Sequence, residues 1–306
     1  MRRIQTGRLI ALLIMVAGIS TAGVSLHGLI ERTYALGGPD ELDVPYVPTP
    51  ESVVEKMLDM AAVTGSDLVY DLGCGDGRIV IAAAKERGAR GVGIDLDPER
   101  IRESKENARE ARVTDRVMFV RQDLYNTDLR DATVVTLYLL PSVNLEIRPK
   151  LFKELKPGTR VVSHDFDMGE WTADQIAEVD GSMVYFWVMP ANVSGTWEWT
   201  MPGSAGKERF VLKLEQEFQN ARGTLTSGSS EMPVHDVRIS GDQVSFTVDQ
   251  AAGDEAVSVR YEGRVNGDTI QGVIHNPDGQ SEGKGWTARR DPSTVVPIDN
   301  SDEIPL

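Results

Sequence analysis

The stretch VYDLGCGDGRIVIAAAK, residues 69–85, decides the fold of the first part of this chain. An apolar run ends at Asp71, and glycine then stands at every second position, as Gly73, Gly75 and Gly77, before an alanine-rich apolar segment. Glycine lets a backbone turn sharply and lets a ligand approach it closely. The pattern therefore predicts a strand, a ligand-binding turn and a helix.

The spacing differs from the G-x-G-x-x-G turn of dinucleotide-binding proteins, because Arg78 stands where the third glycine would be. Asp71 lies just before the turn, where it would repel a pyrophosphate. A ligand with both a carboxylate and an ammonium group fits better. The N–H groups of the turn would bind the carboxylate, and an acidic side chain would bind the ammonium group. The methionine part of S-adenosylmethionine carries both groups.

Strand and helix patterns alternate from residue 66 to residue 165, after a predicted first helix and before one further predicted strand. Predicted strands cover Leu68–Leu72, 91–94, Val117–Arg121, 132–139, 159–163 and 183–189, and predicted helices cover 51–62, Arg78–Arg87, 98–112 and 143–155. This alternation predicts a parallel sheet with helices on both faces, that is, a Rossmann-like, doubly wound α/β domain.

Two more acidic residues stand at the ends of predicted strands. Asp95 follows the second strand, about where a ribose-binding acid is expected in such folds. Asp123 follows the third strand, where a carboxylate would accept a hydrogen bond from an adenine amino group. A single aspartate at a strand end is more often a helix cap. Together with Asp71 and the glycine spacing, however, these acids predict one cofactor-binding crevice at the carboxyl edge of the sheet.

The motifs DLGCGDGR, GIDLDPER and FVRQDLY resemble those of the seven-β-strand (class I) S-adenosylmethionine-dependent methyltransferases, over about residues 44–189. VPYVPTP at 44–50 and TLYLLPSVN at 136–144 resemble more closely the protein-lysine methyltransferase group. That group has archaeal members and mitochondrial members that act on ATP synthase subunit c or the adenine nucleotide translocase. The resemblance implies S-adenosylmethionine as cofactor and lysine of a protein as acceptor.

The resemblance also implies roles for residues outside the glycine turn. An arm before the first helix helps to enclose the cofactor in that group, so Tyr46 and Pro48 would cover its methionine end. The fourth-strand motif corresponds to LYLLP at 137–141, and Tyr138 is our candidate for orienting the acceptor amine. The D/N-P-P-Y motif of amino- and amide-methylating enzymes is absent. Its absence disfavours nucleobase methylation and leaves a small-molecule or lipid acceptor as an alternative.

Three further side chains near the fifth strand have open roles. His164 and Asp165 end that strand and would act either as a base or as structural caps. Trp171 would either line an acceptor channel or pack in the core. The residue pattern does not separate these alternatives.

After Pro190 the sequence changes to short alternating runs separated by turn signals such as SGD at 240–242 and NGD at 266–268. About eight strands are predicted, most simply as a small closed barrel. Gly-Thr-Trp at 195–197 resembles the lipocalin-like (calycin) barrels, in which the tryptophan closes one end. The role of this barrel stays open between ligand binding, substrate docking and simple bulk.

The N-terminal residues differ from the rest, because residues 9–26 are apolar and uncharged and basic residues precede them. They predict a signal peptide or a membrane anchor. The basic residues would place the following chain outside the cytoplasm, although the methyl donor is made inside it. This conflict leaves the membrane side unresolved. It also motivates a second hypothesis, a membrane-tethered binding protein with a non-catalytic nucleoside-like site and a ligand-binding barrel.

The predicted organisation has five parts. They are a signal peptide or anchor (1–32), a linker and cofactor-covering arm (33–50), a methyltransferase domain (51–190), a lipocalin-like barrel domain (191–290) and a polar tail (291–306).

Composition and charge exclude several functions. The formal net charge of −15 argues against nucleic acid as the main partner, because binding phosphates needs a basic face. Cys74 is the single cysteine, so an internal disulfide is impossible. His235 and His275 lack metal-ligand spacing, so no metal site is predicted.

Overall fold

The computed structural model describes residues 46–203, 206–252, 255–275 and 283–299. The predicted signal peptide or anchor and most of the predicted linker lie outside the described residues, as does the end of the predicted tail. The described residues belong to one compact unit, Pro45–Leu306. None of the helices within them has the length and apolar character that a membrane span requires.

The first half of the described chain is a seven-stranded sheet with α-helices. In chain order its elements are α1 (Glu51–Met60), β1 (Leu68–Leu72), α2 (Arg78–Arg87), β2 (Arg90–Asp95), α3 (Pro98–Glu110), β3 (Val117–Arg121), a 3-10 turn (Leu124–Asn126), β4 (Val134–Leu137), α4 (Pro141–Glu154), β5 (Arg160–His164), β6 (Gln175–Val179) and β7 (Ser182–Val188). The strand order is β3-β2-β1-β4-β5-β7-β6. The predicted Rossmann-like methyltransferase sheet is confirmed, and β1, α2 and β3 have the predicted bounds.

The five strands β1 to β5, from the stretch for which a parallel sheet was predicted, are parallel as expected, and the two strands that follow them make the sheet mixed. Strand β7 runs antiparallel to both β5 and β6. Strand β6 was not predicted. Its signal was the Asp180-Gly181 pair, whose positive φ angles of 51° and 85° form the tight hairpin that joins β6 to β7. A hairpin needs no crossover helix, and it returns the chain antiparallel.

The register of the central strands positions the site. Asp71 of β1 lies between Gly93 of β2 and Thr136 of β4. The carboxyl ends of β1, β2, β3, β4 and β5 therefore meet at one edge of the sheet. Asp97 caps α3 by accepting a hydrogen bond from the Glu99 N–H at 2.7 Å, so helix α3 begins directly after that edge.

The two faces of the sheet are covered differently. One face packs against α1 and α2 through buried apolar side chains such as Val53, Met57 and Val80. On the other face Trp187 is fully buried, and its indole N–H donates to the Trp171 carbonyl at 2.8 Å. The α4 side chain Phe152 packs on the Trp171 ring, with ring centroids 4.6 Å apart. Trp171 is therefore a core residue and not the wall of a channel.

The second half is the predicted eight-stranded, closed antiparallel barrel. Its strands are β8 (Gly195–Gly203), β9 (Gly206–Glu217), β10 (Asn220–Ser227), β11 (Ser230–Ser240), β12 (Gln243–Ala252), β13 (Glu255–Asn266), β14 (Thr269–His275) and β15 (Lys284–Arg290). Aromatic rings fill its interior: Trp199, Phe246, Tyr261 and Trp286 are buried and contact one another. Trp197 is fully buried near the start of β8, and the Arg290 guanidinium lies 4.7 Å from its ring centroid.

The barrel is docked on the helix α4 side of the sheet. Phe218, in the turn between β9 and β10, is buried and lies 5.7 Å from the Phe152 ring and 6.4 Å from the Trp171 ring. Arg148 of α4 forms a buried ion pair of 2.8 Å with Asp299. The described part of the predicted polar tail therefore packs against the helix, and the barrel contributes to covering this face.

Candidate cofactor and acceptor site

The turn between β1 and α2 requires its glycines. Gly73, Gly75 and Gly77 have φ angles of +78°, +51° and +80°, a region that side chains with a Cβ atom avoid. A Cβ atom at Gly75 would lie 2.5 Å from the ring of Tyr46, and one at Gly73 would lie 2.8 Å from Leu139. The positive φ angles of the backbone and the close approach of the Tyr46 and Leu139 side chains both explain the glycine pattern.

Four N–H groups of this turn are engaged within the protein. The amides of Gly73 and Cys74 donate to the Ile94 carbonyl, each at 2.9 Å. The Gly75 amide donates to the Asp95 carboxylate at 2.9 Å, and the Gly77 amide donates to a carbonyl inside the turn. As the turn is folded here, these four amides are not free to bind a ligand carboxylate, and their binding to one stays a prediction. The glycines instead allow the turn to fold onto β2.

Asp71 is the acidic group that the site buries. Its side chain is 2% exposed, and it accepts a hydrogen bond of 2.8 Å from the Thr136 hydroxyl. Burial raises the pKa of Asp71 to about 7. The Thr136 hydrogen bond opposes the rise, and the charges of Asp95 and Asp76 add to it. No cationic side chain of the described residues pairs with this carboxyl. A buried carboxyl without a cation fits the ammonium group of S-adenosylmethionine.

Asp95 is held rigidly beside the turn. Its two carboxylate oxygens accept hydrogen bonds of 2.9 Å from the Gly75 and Asp97 amides. Each oxygen has a second lone pair, so both can still accept a hydroxyl donor such as a ribose would present. Asp95 therefore orients the glycine turn and keeps capacity for a ligand.

Asp123 lies further along the same edge, after β3. It accepts hydrogen bonds from the Tyr125 amide at 2.9 Å and from the Asn126 side chain at 3.0 Å. It therefore caps the short 3-10 turn, the structural role that such an aspartate often has.

The arm before α1 lies over the glycine turn. The Tyr46 ring contacts Gly75 and stacks under the Arg100 guanidinium, 4.5 Å from the ring centroid. Partial burial and then the nearby Asp76 charge raise the pKa of the Tyr46 phenol. Arg100 was not predicted as part of the site, because nothing in its helical sequence context separates it from other surface arginines.

A second residue of the arm, Thr49, was also missed. Its carbonyl accepts a hydrogen bond of 2.8 Å from Arg78, whose guanidinium pairs with Asp76 at 2.6 Å. The residue that replaces the third glycine of the dinucleotide pattern therefore ties the arm to the turn.

The acceptor edge is built around Tyr138, which follows β4. Its half-buried ring lies 3.8 Å from the His164 ring and 6.2 Å from the Phe166 ring, measured between centroids. Burial and then the Asp165 charge raise the pKa of the Tyr138 phenol. Tyr138 is therefore a neutral phenol near physiological pH.

His164 lies beneath Tyr138 and is 1% exposed. Its Nδ1 atom lies 3.2 Å from the Thr49 hydroxyl, and its Nε2 atom makes no hydrogen bond with a described residue. Burial lowers the pKa of His164, although the Asp165 charge opposes this. The Asp165 amide donates a hydrogen bond of 2.7 Å to the Met183 carbonyl, and the Asp165 carboxylate accepts one of 2.9 Å from the Met183 amide. The arrangement does not expose either residue as a base.

Other chemistry-bearing residues stay apart from this edge. His235 pairs with Asp249 and His275 pairs with Glu262, each on the exposed surface of the barrel. Within the ranges that the structure describes, no group of histidine, cysteine and acidic side chains is arranged to hold a metal ion. Cys74 is buried, and burial raises the pKa of its thiol.

Residues 71–175 match the family model of the ANTKMT methyltransferase domain. The chain is 50% identical over 151 residues to a protein-lysine N-methyltransferase of Saccharolobus islandicus (strain REY15A), a match that covers 48% of this chain and 94% of the relative. It is 32% identical over 179 residues to an adenine nucleotide translocase lysine N-methyltransferase of Mus musculus, covering 58% of this chain and 77% of the relative.

Among solved structures, the chain is similar to an RNA methyltransferase from Salinibacter ruber in complex with S-adenosyl-L-homocysteine. It shares 56% sequence identity, 46% of this chain and 93% of that chain are covered, and the TM-score is 0.46.

These relatives match about half of this chain, and the family model lies wholly before the barrel. None of these matches supports the hypothesis of a non-catalytic binding protein. The match to the archaeal relative spans nearly the whole of that protein and agrees with the seven-stranded sheet and its glycine turn. This chain therefore belongs to the protein-lysine methyltransferase family and is an S-adenosylmethionine-dependent methyltransferase.

Proposed function

We propose that this protein methylates the side-chain amine of lysine in a protein acceptor. The observation that carries the proposal is the 50% identity to a protein-lysine N-methyltransferase across 94% of that relative. The buried, cation-free Asp71 and the neutral Tyr138 at the same sheet edge are consistent with it.

Within this proposal the cofactor lies along the carboxyl edge of the sheet. Asp71 would bind its ammonium group, Asp95 its ribose hydroxyls and Asp123 its adenine amino group. Tyr46 would cover the methionine end, because its ring already lies against Gly75. The glycine turn would contribute close backbone approach rather than free amides.

The bound cofactor supplies an electrophilic methyl group on a sulfonium. The residues of this chain have to align the acceptor and keep its amine neutral. With the cofactor bound, the acceptor nitrogen would take the methyl group while the electron pair of the carbon–sulfur bond stayed on sulfur, and a proton of the methylated amine would leave to solvent. A half-buried edge favours the neutral amine, because desolvation lowers the pKa of lysine. The Tyr138 phenol oxygen would accept a hydrogen bond from that amine and so orient its lone pair.

The acceptor class can be tested with methyl-tritiated S-adenosylmethionine and a whole-cell extract. We expect label in protein, and we expect lysine-containing peptides to carry the added methyl groups by mass spectrometry. Acetylating the lysine amines of the extract beforehand should abolish labelling. Label in the lipid-extractable or small-molecule fraction would favour the alternative acceptor, and label in RNA would contradict the proposal.

The ribose assignment predicts that Asp95→Ala weakens S-adenosylhomocysteine binding by about 1–3 kcal/mol, the scale of an unmade buried polar contact. Asp97→Ala is the matched control, because it removes a neighbouring carboxylate and the cap of α3 but leaves Asp95 and its bond to the Gly75 amide in place, and it should leave this affinity unchanged. Calorimetric titration distinguishes them. Unchanged affinity in Asp95→Ala would remove the ribose assignment.

The organisation predicted from the sequence extends this proposal. We propose that 51–190 and 191–290 are the methyltransferase and barrel domains, and that residues 9–26 attach the protein to a membrane or export it. Fractionation of cells that express the full chain or residues 33–306 tests the second point. Recovery of both proteins in equal amounts in the cytosolic fraction would contradict it.

A further inference from the structure

His164 touches both the cofactor-covering arm and the acceptor edge. Its Nδ1 atom lies 3.2 Å from the Thr49 hydroxyl of the arm, and its ring lies 3.8 Å from the Tyr138 ring. These two neighbours are 115 and 26 positions away along the chain. His164 is 1% exposed and Thr49 is 4% exposed, so these contacts lie in the interior of the protein.

The contacts extend in one direction to the glycine turn. The Thr49 carbonyl accepts a hydrogen bond from Arg78, and Arg78 pairs with Asp76 inside the turn. Thr49 is therefore held at two points, by Arg78 at its carbonyl and by His164 at its hydroxyl. In the described structure, the Thr49 hydroxyl bonds to His164 alone.

The contacts extend in the other direction to Tyr138. The half-buried Tyr138 ring lies 3.8 Å from the His164 ring and 6.2 Å from the Phe166 ring, so His164 is the nearer of these two aromatic supports. Burial lowers the pKa of His164, so a neutral imidazole supports the phenol. Its burial also keeps it from contacting an acceptor, which argues against direct proton transfer between the two.

We propose that His164 is a positioning residue that couples cofactor enclosure to acceptor alignment: Nδ1 holds the arm through Thr49, and the ring face supports Tyr138. The Tyr138 half of this inference rests on the proposed function, and the Thr49 half concerns the cofactor alone. The two halves use different parts of one side chain, so substitutions can separate them.

His164→Phe keeps a ring beneath Tyr138 and removes Nδ1. It should weaken S-adenosylhomocysteine binding roughly three- to tenfold, the scale of one hydrogen bond, and increase amide exchange in residues 46–50. His164→Asn keeps a polar group near the position of Nδ1 and removes the ring. It should leave that binding within about twofold and lower kcat at saturating cofactor by tenfold or more. His235→Phe, an exposed histidine on the barrel, is the matched control and should change neither quantity.

A double-mutant cycle with Thr49→Val tests the arm contact without any acceptor. Thr49→Val and His164→Phe should each weaken S-adenosylhomocysteine binding, and the double variant should bind within twofold of the weaker single variant. Losses that multiply in the double variant would overturn the coupling. Identical changes in His164→Phe and His164→Asn would overturn the division of roles and leave a merely structural histidine.

The outcomes separate this inference from the proposed function. If no lysine is labelled in the extract, the lysine proposal fails and the calorimetric cycle still decides the role of His164. Thermal melts of every variant are needed, because a buried substitution can unfold the protein. If His164→Asn does not fold, Thr49→Val and His164→Phe decide the inference: unchanged cofactor affinity in both variants refutes it.

Discussion

Asp71 should make cofactor binding depend on pH. Burial raises the pKa of this carboxyl from 3.8 to about 7 in the cofactor-free protein, against the hydrogen bond from Thr136. A ligand ammonium group binds the ionised carboxylate, so the pKa in the complex must lie below that of the free protein. Affinity should therefore approach its full value at about pH 8 and be lost as the pH falls through about 7.

The expected magnitude follows from the ionised fraction. Between pH 8 and pH 6 this fraction of Asp71 falls from about nine-tenths to about one-tenth, which corresponds to about tenfold weaker binding, or ~1.4 kcal/mol. Asp71→Asn removes the carboxylate and should weaken binding at pH 8 by about 1.5–3 kcal/mol, the range for hydrogen bonds to charged groups.

The same substitution should stabilise the protein without cofactor. Folding raises the pKa of this carboxyl, because the buried site accommodates the neutral form better than the ionised form. The free energy of unfolding therefore falls as the pH rises from 3.8 to about 7. Over this whole pH range, the free energy of unfolding should fall by about 4 kcal/mol. Asp71→Asn has no charge to bury, and at pH 8 it should melt at a higher temperature than the unmodified protein.

Calorimetric titration with S-adenosylhomocysteine between pH 6 and pH 8 measures these effects. Asp71→Asn reports the titration of the ligand itself and serves as the reference profile. Thr136→Val should move the midpoint of the Asp71 profile to higher pH, because its hydroxyl lowers the pKa of Asp71. Parallel pH profiles in the unmodified protein and in Asp71→Asn would refute the reasoning.

Two further substitutions test the arm and the barrel. Gly75→Ala places a Cβ atom 2.5 Å from the Tyr46 ring at a φ of +51°, so the arm should be displaced and S-adenosylhomocysteine binding should weaken at least tenfold by calorimetry. Gly181→Ala, at a φ of +85° with no described atom within 4 Å, should cost stability without altering binding. Phe218→Ala should lower the free energy of unfolding by about 3–5 kcal/mol in urea, and Phe218→Leu by less. A loss below about 1 kcal/mol would show that the barrel is not held by this side chain.

Much of the fold could be predicted because its signals are local. The bounds of β1 and α2 follow from an apolar run, three glycines and an alanine-rich helix that are adjacent in sequence. The acids Asp71 and Asp95 could be placed at one edge, because parallel strands bring their carboxyl ends together. The barrel could be predicted from alternating runs and turn signals, since a strand pattern with period two is read within a few residues.

The sequence by itself therefore determined the order of the elements, the family and the acidic edge. Only the tertiary structure decided that the turn amides are engaged, that His164 joins Thr49 to Tyr138, and that Phe218 docks the barrel on Trp171. These contacts join residues far apart in sequence, such as the 115 positions between Thr49 and His164. Local propensity and periodicity carry no information about such pairs, because their partners are chosen by packing once the sheet has formed.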